Sequence, residues 1–471
     1  MIATRLPLNL GPIHFIGIGG IGMSGIAEIL VNLGYSVQGS DIKKTHITER
    51  LSALSVKIFY DHDKENVSNC SVVVISSAIK NENIELSFAK QLGIPIVSRA
   101  EMLAELMRMK LNIVVAGSHG KTTTTSLVAS IAEAGNLDPT VINGGVIKAY
   151  GSNARLGEGD WMVVEADESD GSFNKLPVTI AIVTNIDKEH LDYYGSFPNL
   201  KQAFERFISS VPFYGIAICC IDDKNVAKVI SHVKDRKIIT YGFSENADIT
   251  IRNISVDEKG TRFDLDDKIT NIYLRDFHLP MIGQHNALNA CAAILAASNL
   301  SIPLKFIKDA LGKFEGVARR FTRIGFFNGA TIIDDYAHHP AEIKAVISAA
   351  KEIATRRIIV VHQPHRFSRL KSLFTDFSKC FRDADIVGIT PVFAAGEPQI
   401  SGFDSKTLIN SVTRSGMQKV EYVENEVSFS RFLRNNCNKG DIFLTLGAGS
   451  ITSWVNNLPF LANNPGHEIN E

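Results

Sequence analysis

Short apolar runs rich in β-branched residues alternate along this chain with stretches in which apolar residues recur every three or four positions. The runs have the length of strands, and the periodic stretches have the spacing of one helix face. Because strands and helices alternate almost throughout, the pattern predicts an α/β fold of parallel sheets with crossover helices. Residues 245–275 alternate apolar and polar positions instead, which predicts antiparallel hairpins within the middle of the chain.

Three blocks of the chain each open on a predicted strand. The opening strands read "IHFIGI", "LNIVVAG" and "ATIIDDY". The length of 471 residues is enough for about three domains of ordinary size. We predict domains at 1–109, 110–320 and 321–471.

Composition narrows the range of partners. Hydrophobic residues make up 45% of the chain, charged residues 21%, and the formal net charge is -1. With no basic run, the chain is not expected to bind nucleic acid. It has no apolar run long enough for membrane insertion and no signal-peptide pattern at its start. The six cysteines form no C-x-x-C pair and predict reduced thiols in a cytoplasmic protein.

The first glycine-rich loop, in "IHFIGIGGIGMSGIAEIL", has the spacing Gly17-x-Gly19-x-x-Gly22 between a strand and a helix. Asp41 ends the second strand, where dinucleotide sites place an acid for a ribose hydroxyl. Glycines let the backbone approach a diphosphate, and the helix N-terminus donates N–H groups to it. NAD, FAD and a UDP-sugar all satisfy this description, and a tight turn without ligand is the remaining alternative.

The second glycine-rich loop, "VVAGSHGKTTTT", resembles a shortened phosphate-binding loop. The usual spacing would put a glycine at Val115, but Gly117 comes only three residues before Gly120. A strand precedes the loop and a helical stretch follows it. Lys121 is therefore predicted to reach the β- and γ-phosphates of ATP, and Thr122 to offer a hydroxyl to Mg²⁺.

Two later strands of the middle block end in polar residues. Glu165 ends the apolar run of "DWMVVEADESD", and His190 follows the run of "TIAIVTNIDKEHLD". The carboxyl ends of parallel strands share one edge of a sheet, so both residues are predicted to lie near Lys121. Glu165 suits Mg²⁺, which prefers oxygen ligands. The alternatives are a solvated acidic loop for "EADESD" and a hydrogen-bonded loop histidine for His190.

The last block collects histidine and arginine at two strand ends, "TIIDDYAHHP" and "RIIVVHQPHRFSR". Guanidinium groups bind carboxylates and phosphates through two parallel hydrogen bonds. This block is therefore predicted to hold a small anion or zwitterion. The side chains concerned are Tyr336, His338, His365, Arg366 and Arg369.

Nine motifs in order resemble those of the Mur ligase family over nearly the whole chain. They read "HFIGIGGIGMSGIA", "GSHGKTTTT", "EADESD", "TNIDKEHLDYYG", "GQHNALNA", "GVARRF", "DDYAHHP", "QPHRFSR" and "GAGS". The shortened phosphate loop is a feature of this family. Glu189 departs from the pattern, because an aspartate is expected before His190, but a carboxylate remains.

The resemblance implies a Rossmann-like N-terminal domain for the UDP-sugar, a central P-loop domain for ATP and a Rossmann-like C-terminal domain that closes over the site. It implies an ATP-dependent ligase that joins L-alanine to the lactyl carboxylate of UDP-N-acetylmuramate through an acyl phosphate. That reaction belongs to peptidoglycan precursor synthesis, and so to cell wall biogenesis, cell shape and cell division. Both a monomer and a homodimer agree with the resemblance.

The resemblance also assigns residues, each numbered here in this chain. The implied ATP contacts are Gly117, Ser118, His119, Gly120, Lys121, Thr122, Thr123, Asn286, Asn289, Arg320 and Asp335, with Arg319 as a rival to Arg320. The implied UDP-sugar contacts are Gly17, Gly19, Gly20, Gly22, Asp41, His62, Ser76, Ser77 and His190. Tyr336, His338, His365, Arg366 and Arg369 are implied to hold the amino acid. Two Mg²⁺ ions are implied at Thr122, Glu165 and His190. The implied catalytic residues are Lys121, Glu165, His190, Arg320, His338, Arg366 and Arg369.

Other readings of the sequence remain. A recycling ligase that adds a tripeptide to the same sugar nucleotide would share the fold. A folate- or cyanophycin-type ligase would leave the first glycine-rich domain unexplained. An NAD-dependent oxidoreductase would not explain the presence of Lys121 and Glu165. A non-catalytic nucleotide-binding regulator would not require these two residues.

Overall fold

The computed structural model describes residues 10–76 and 78–458, and it has the predicted α/β fold with three sheets in those residues. The chain divides into two compact units. The first comprises Met1–Asn253, Phe263–His278 and Ala287–Val317. The second comprises Ile254–Arg262, Leu279–Asn286 and Ala318–Glu471.

The first sheet has five parallel strands in the order β3-β2-β1-β4-β5. The strand order reverses between β1 and β4, so the connections that leave these two strands run in opposite directions. Open α/β sheets bind ligands beyond the carboxyl ends of the strands at such a point. Its strands are β1 (Ile13–Ile16), β2 (Val37–Ser40), β3 (Lys57–Phe59), β4 (Val72–Ile75) and β5 (Ile96–Ser98). Its helices are α1 (Ile21–Asn32), α2 (His46–Ala53), α3 (Ile84–Gln91) and α4 (Arg99–Met107).

The middle sheet has ten strands in the order β15-β14-β13-β12-β11-β10-β6-β9-β7-β8. Its strands are β6 (Leu111–Ala116), β7 (Thr140–Ile147), β8 (Ser152–Arg155), β9 (Trp161–Glu165), β10 (Ile180–Val183), β11 (Ile216–Cys220), β12 (Ile238–Gly242), β13 (Ile249–Asp257), β14 (Gly260–Asp267) and β15 (Ile272–Leu279). Its helices are α5 (Lys121–Ala134), α6 (Leu191–Tyr194), α7 (Phe197–Ser209), α8 (Lys224–Ile230), α9 (Gln284–Asn299) and α10 (Leu304–Gly312). The hairpins predicted near 245–275 are β13 to β15, which neighbour one another at one edge.

The third sheet has six strands in the order β16-β17-β21-β18-β19-β20, and all but the β16–β17 pair are parallel. Its strands are β16 (Thr322–Phe327), β17 (Ala330–Asp335), β18 (Ile358–His362), β19 (Ile386–Ile389), β20 (Val420–Tyr422) and β21 (Ile442–Leu446). Its helices are α11 (Pro340–Ile353), α12 (Phe367–Ser372), α13 (Phe374–Phe377), α14 (Ser405–Arg414), α15 (Glu426–Asn436) and α16 (Ile451–Asn456).

The first and middle sheets share one continuous apolar core, which runs from Phe15 and Ile26 to Val114 and Phe207. The third sheet has two cores of its own, one on each face. Among the described residues, no helix combines the length and the apolar character needed to cross a membrane.

One carboxylate, Glu85, is fully buried on a face of the first sheet. Its oxygens accept hydrogen bonds from Ser40 Oγ at 2.6 Å, Asn66 Nδ2 at 2.8 Å and His62 Nδ1 at 2.8 Å, and His14 Nε2 lies 3.6 Å away. Burial alone would raise the pKa of Glu85, but these donors outweigh it and hold the pKa at about 2. The network therefore stabilises the first sheet only while Glu85 is charged.

We expect Glu85→Gln to remove a pH-dependent part of the stability. The pKa is lowered on folding, so the stabilisation is complete above about pH 4.5 and is lost as the pH falls towards 2; it amounts to about 3 kcal/mol. Thermal unfolding of wild type and variant between pH 6 and pH 3 measures it. Glu101→Gln is the control, because Glu101 also has a pKa of about 2 but is exposed. Water screens its interactions, so this variant should change the pH dependence of stability much less than Glu85→Gln does. Equal pH profiles for wild type and Glu85→Gln would refute the assignment.

Candidate active site

The second glycine loop connects the end of β6 to the start of α5. Gly117 has φ +137° and Gly120 has φ +81°, which side chains other than glycine adopt only with strain. Gly120 precedes the first residue of α5, so the free N–H groups of that helix face the loop. An anion at this loop would gain both those donors and the positive end of the helix dipole.

Residues at the end of β10 support the short loop. Ser118 N donates to Asn185 O at 3.0 Å, and His119 N donates to Asn185 Oδ1 at 2.8 Å. Thr184 Oγ1 donates to His119 O at 2.7 Å, and its oxygen lies where a side chain on Gly117 would start. The neighbouring strand end thus fixes the loop without the extra residues of the usual spacing.

We expect Gly120→Ala to weaken nucleotide binding at least tenfold. A Cβ at this position would lie 2.6 Å from Asn289 Oδ1, and the positive φ adds about 1 kcal/mol of strain. Titration calorimetry with a non-hydrolysable ATP analogue measures the effect. The control is Gly93→Ala, since Gly93 also has positive φ but has no atom within 4 Å of the added Cβ. Unchanged binding in a folded Gly120→Ala protein would contradict the expectation, and a similar loss in Gly93→Ala would show that the effect is not specific to the loop.

Lys121 is the first residue of α5, and its side chain folds back over the loop. Its Nζ donates to Gly117 O at 2.5 Å, to Ser118 O at 3.2 Å and to Glu168 Oε1 at 2.8 Å. Burial alone would lower the pKa of Lys121, but nearby carboxylates, Glu168 foremost, raise it above its usual range. The ammonium group therefore stays charged at the position where a phosphate would bind.

Glu168 is a functional candidate that no motif in the sequence distinguishes. It is buried to 2% exposure, and burial raises its pKa to about 7. Its Oε2 atom is buried without a hydrogen-bond partner in the part of the chain that the structure describes. The signal in the sequence was its place in "EADESD", but nothing there separated it from Asp167 and Asp170.

Two groups of possible metal ligands include carboxylates that interact with the charge of Lys121. In one group, Thr122 Oγ1 donates to Glu165 Oε1 at 3.0 Å. In the other, ligand atoms of Glu168, Glu189 and His190 all lie within 4.8 Å of one another. Hard cations prefer such oxygen-rich sites, and the unpartnered Oε2 of Glu168 is available to one. These residues fit Mg²⁺, and they divide the predicted set of Thr122, Glu165 and His190 between two positions.

The first glycine loop follows β1 and leads into α1. Gly17 has φ +78°, and Gly20 is the residue before the first turn of α1. Asp41 Oδ2 accepts a hydrogen bond from Gly19 N at 2.9 Å, so this carboxylate contacts the loop itself. His62 Nδ1 lies 3.2 Å from the hydroxyl of Ser40 at the end of β2, and 2.8 Å from Glu85 Oε2. The predicted contact Ser76 is half-buried after β4, and Ser77 lies outside the described residues.

Arg99 connects the first glycine loop to the acidic loop after β9. Its Nη2 donates to Asp167 Oδ2 at 2.9 Å. Its Cδ lies 3.1 Å from the position that a Cβ on Gly22 would occupy. No motif in the sequence points to Arg99, which is the first residue of α4.

In the second unit, Asp335 ends β17 and is buried to 4% exposure. Its carboxylate accepts hydrogen bonds from Phe321 N and Ala337 N, each at 2.7 Å, and burial raises its pKa to about 6. Of the two adjacent arginines, Arg319 is bound to Asp334 and to the carbonyl of Gly447.

Arg320 has looser contacts than Arg319. Its guanidinium lies 3.9 Å from Glu342 and over the ring of Tyr336. Arg320 is therefore less constrained by its neighbours than Arg319.

The other predicted side chains of this unit lie in one series of contacts. Tyr336 and His338 make an edge contact with ring centroids 5.3 Å apart, and His338 and His365 lie 5.8 Å apart. His365 Nδ1 lies 3.2 Å from Arg369 Nη1, and burial with nearby cations lowers the pKa of His365 to about 3. Arg366 is exposed at the start of α12 with φ +68°.

The two asparagines predicted to contact adenine both lie in α9 and are buried. Asn289 Oδ1 accepts a hydrogen bond from Thr124 Oγ1 at 3.2 Å, which places Asn289 against the helix of the phosphate loop. Asn286 Nδ2 donates to Ile282 O at 2.9 Å. Thr123, the remaining loop residue of the prediction, is buried in the first turn of α5.

Two bacterial ligases are similar in sequence to this chain over nearly its whole length. The UDP-N-acetylmuramate–L-alanine ligase of Roseobacter denitrificans is 53% identical over 97% of this chain and 98% of its own. The enzyme of the same name from Ruegeria pomeroyi is 52% identical over the same shares. Among solved structures, UDP-N-acetylmuramate-alanine ligase of Thermotoga maritima is 29% identical, with a TM-score of 0.79 over 95% of this chain and 97% of that one.

A murein peptide ligase of Psychrobacter arcticus shares the fold at 22% identity, with a TM-score of 0.70 over 96% of this chain and 99% of that one. Three family models also match successive parts of the chain. They are "Mur ligase family, catalytic domain" at residues 12–111, "Mur ligase middle domain" at 115–297 and "Mur ligase, glutamate ligase domain" at 319–449. With both glycine loops and the acidic loop in place, the chain belongs to the Mur ligase family.

Proposed function

We infer that this protein is an ATP-dependent ligase that joins L-alanine to the lactyl carboxylate of UDP-N-acetylmuramate, in peptidoglycan precursor synthesis. The observation that carries this inference is Lys121, a largely buried ammonium group at a helix N-terminus among Glu165, Glu168 and Glu189. Such a site is built to position a nucleotide phosphate together with divalent cations. The identity to named L-alanine ligases supplies the choice of substrates.

The first chemical step transfers the γ-phosphoryl group of ATP to the lactyl carboxylate and gives an acyl phosphate and ADP. Phosphoryl transfer depends mainly on positioning and on charge neutralisation. We assign Lys121 and Arg320 to the transferring group, and the loop residues 117–123 with Asn286, Asn289 and Asp335 to the rest of ATP. Thr122 with Glu165, and Glu168 with Glu189 and His190, would hold two Mg²⁺ ions. Mg²⁺ neutralises phosphate charge when it is bound.

In the second step, the amine of L-alanine attacks the acyl phosphate carbon. The new C–N bond forms, the amine loses a proton, and inorganic phosphate leaves. We propose that Tyr336, His338, His365, Arg366 and Arg369 hold the amino acid. Burial and nearby cations hold the pKa of His365 at about 3, so its imidazole is neutral at neutral pH and can hydrogen-bond the amino acid without adding a positive charge beside the arginines.

The first domain is proposed to hold the UDP-sugar through Gly17, Gly19, Gly20 and Gly22, with Asp41, His62, Ser76, Ser77 and His190 as further contacts. We also propose that the three domains comprise residues 1–109, 110–320 and 321–471. All six cysteines are free and buried, which supports a reducing, cytoplasmic environment.

The test is phosphate release with ATP, Mg²⁺, UDP-N-acetylmuramate and a panel of amines. Release that requires both the sugar nucleotide and L-alanine supports the proposal. Release with the tripeptide L-alanyl-γ-D-glutamyl-meso-diaminopimelate but not with L-alanine would instead make the protein a recycling ligase. Absence of release with every amine would refute a ligase of either kind.

We expect Arg99→Ala to raise the KM for UDP-N-acetylmuramate about tenfold, with a smaller effect on the KM for ATP. A guanidinium beside Gly22 is placed to hydrogen-bond the diphosphate, and one charge-assisted hydrogen bond accounts for that factor. Calorimetric titration with UDP measures the same loss without turnover. Arg108→Ala is the control, because Arg108 is an exposed arginine at the other end of α4. Unchanged UDP affinity in Arg99→Ala would show that Arg99 only links the two loops.

A further inference from the structure

A cavity of about 270 Å³ lies between the first and the middle sheet. The residues of α1 and α4 form one wall, and the turn between β8 and β9 forms the other. The apolar lining consists of Ile29, Leu33, Leu106, Met109, Leu156 and Met162. No residue of either glycine loop lines it, so the cavity is separate from the candidate active site.

Lys110 holds the rim of the cavity in place. Its Nζ donates to Gly157 O at 2.7 Å and to Gly159 O at 2.5 Å. These bonds tie the linker before β6 to the turn before β9. The ammonium is thereby engaged with backbone carbonyl groups, while the methylene groups of its stem add apolar surface.

The mouth of the cavity carries two more charges, the exposed carboxylates of Glu158 and Asp160. Together with Lys110 they give the lining a net charge of -1 (one cation against two anions). A cationic group at the mouth would be attracted, and an anionic group would be repelled. Exposed charges act weakly and are screened by salt, so the expected preference is several-fold.

The size of the cavity limits its ligand. An apolar cavity of roughly 150 Å³ holds one benzene ring. The cavity described here is nearly twice as large, which suits two fused rings. Apolar walls without buried unpaired polar groups favour an aromatic body over a sugar or a nucleotide, whose hydroxyl groups would lose their hydrogen bonds to water.

We propose that this cavity is a second ligand site, and that it binds an apolar bicyclic aromatic molecule carrying a primary amine. The rings lie between α1 and the β8–β9 turn, and the amine lies at the mouth near Glu158 and Asp160. The site does not depend on the proposed ligase reaction, because it shares no residue with that machinery.

Titration calorimetry of the full chain with 2-naphthylmethylamine tests the proposal. We expect one saturable site with a Kd of about 1 mM or below. We expect 2-naphthoate, an anion of the same size, to bind at least about threefold more weakly. Saturating ATP analogue and UDP should leave the affinity unchanged, since the cavity lies outside the candidate active site.

Two variants fill the cavity from opposite walls, Leu33→Phe and Leu156→Phe. Each should lower the affinity at least about tenfold, because the added ring occupies part of the ligand volume. Ile230→Phe is the matched control, since Ile230 is also a partly buried side chain packed on the same core but does not line the cavity. Thermal unfolding shows whether each variant is folded. If only one of the two filling variants folds, that variant is enough for the test.

Three results would overturn the cavity as a ligand site, and a fourth would overturn the choice of an amine. The first is the absence of saturable binding to the wild-type protein at about 10 mM amine. The second is unchanged affinity in a folded filling variant. The third is displacement by the ATP analogue or UDP, which would place the amine in the candidate active site. Equal binding of the naphthoate would overturn the assignment of an amine. Because no arm requires turnover, failure of the ligase reaction would leave these results interpretable.

Discussion

Lys121→Ala should abolish phosphate release, with kcat lowered by about 10³-fold or more. Removal of one positioned cation from a phosphoryl-transfer site has effects on that scale. The ammonium group is held by two loop carbonyls and by Glu168, so it is already in position before ATP binds. Alanine leaves no positive charge at this position of the loop. Single-turnover release of labelled phosphate measures the effect on the chemical step.

The control for Lys121→Ala is Lys188→Ala. Lys188 is an exposed lysine in the loop after β10, two residues before His190. It should keep full activity. Because the alanine at 121 leaves Glu168 buried without its cation, thermal unfolding must first show that the variant is folded. A folded Lys121→Ala protein with activity within tenfold of wild type would exclude the proposed role.

Glu168→Gln should lower kcat by about 10²-fold to 10³-fold and weaken divalent cation binding at least tenfold. Glutamine keeps the shape of the side chain but removes its charge. It thus weakens a ligand group that includes Glu189 and His190. The amide also leaves Lys121 without the partner that most strongly keeps it charged. Binding of Mn²⁺, followed by electron paramagnetic resonance with an ATP analogue present, measures the cation affinity apart from turnover.

Asp170→Asn is the matched control for Glu168→Gln. Asp170 lies in the same acidic loop, but its carboxylate accepts a hydrogen bond from Ser172 N and belongs to neither ligand group. This variant should bind Mn²⁺ as wild type does. If Glu168→Gln loses activity with unchanged Mn²⁺ affinity, Glu168 orients Lys121 and is not a cation ligand.

Much of this molecule could be predicted from the sequence, because the signals are local or repeat along the chain. Alternation of apolar runs and amphipathic stretches predicted the α/β fold, and the order of nine motifs indicated the family; both predictions are confirmed. The rule that parallel strands end at one edge placed Glu165 and His190 near Lys121. In the structure, the charge of Glu165 acts on Lys121. His190 Nε2 lies 3.8 Å from Oε1 of Glu168, the carboxylate that pairs with Lys121.

Other features depended on the packing of residues far apart in sequence. "EADESD" offered four acids, and only the fold turns Glu168 inward to Lys121 while Asp167 turns outward to Arg99. His14 lies within an ordinary apolar strand, yet it borders the buried carboxylate of Glu85, which is 71 positions away (85 - 14). The direction of a side chain after a strand end is set by the local backbone and by its neighbours. A residue pattern specifies neither, so the tertiary structure alone decided which carboxylate meets which cation.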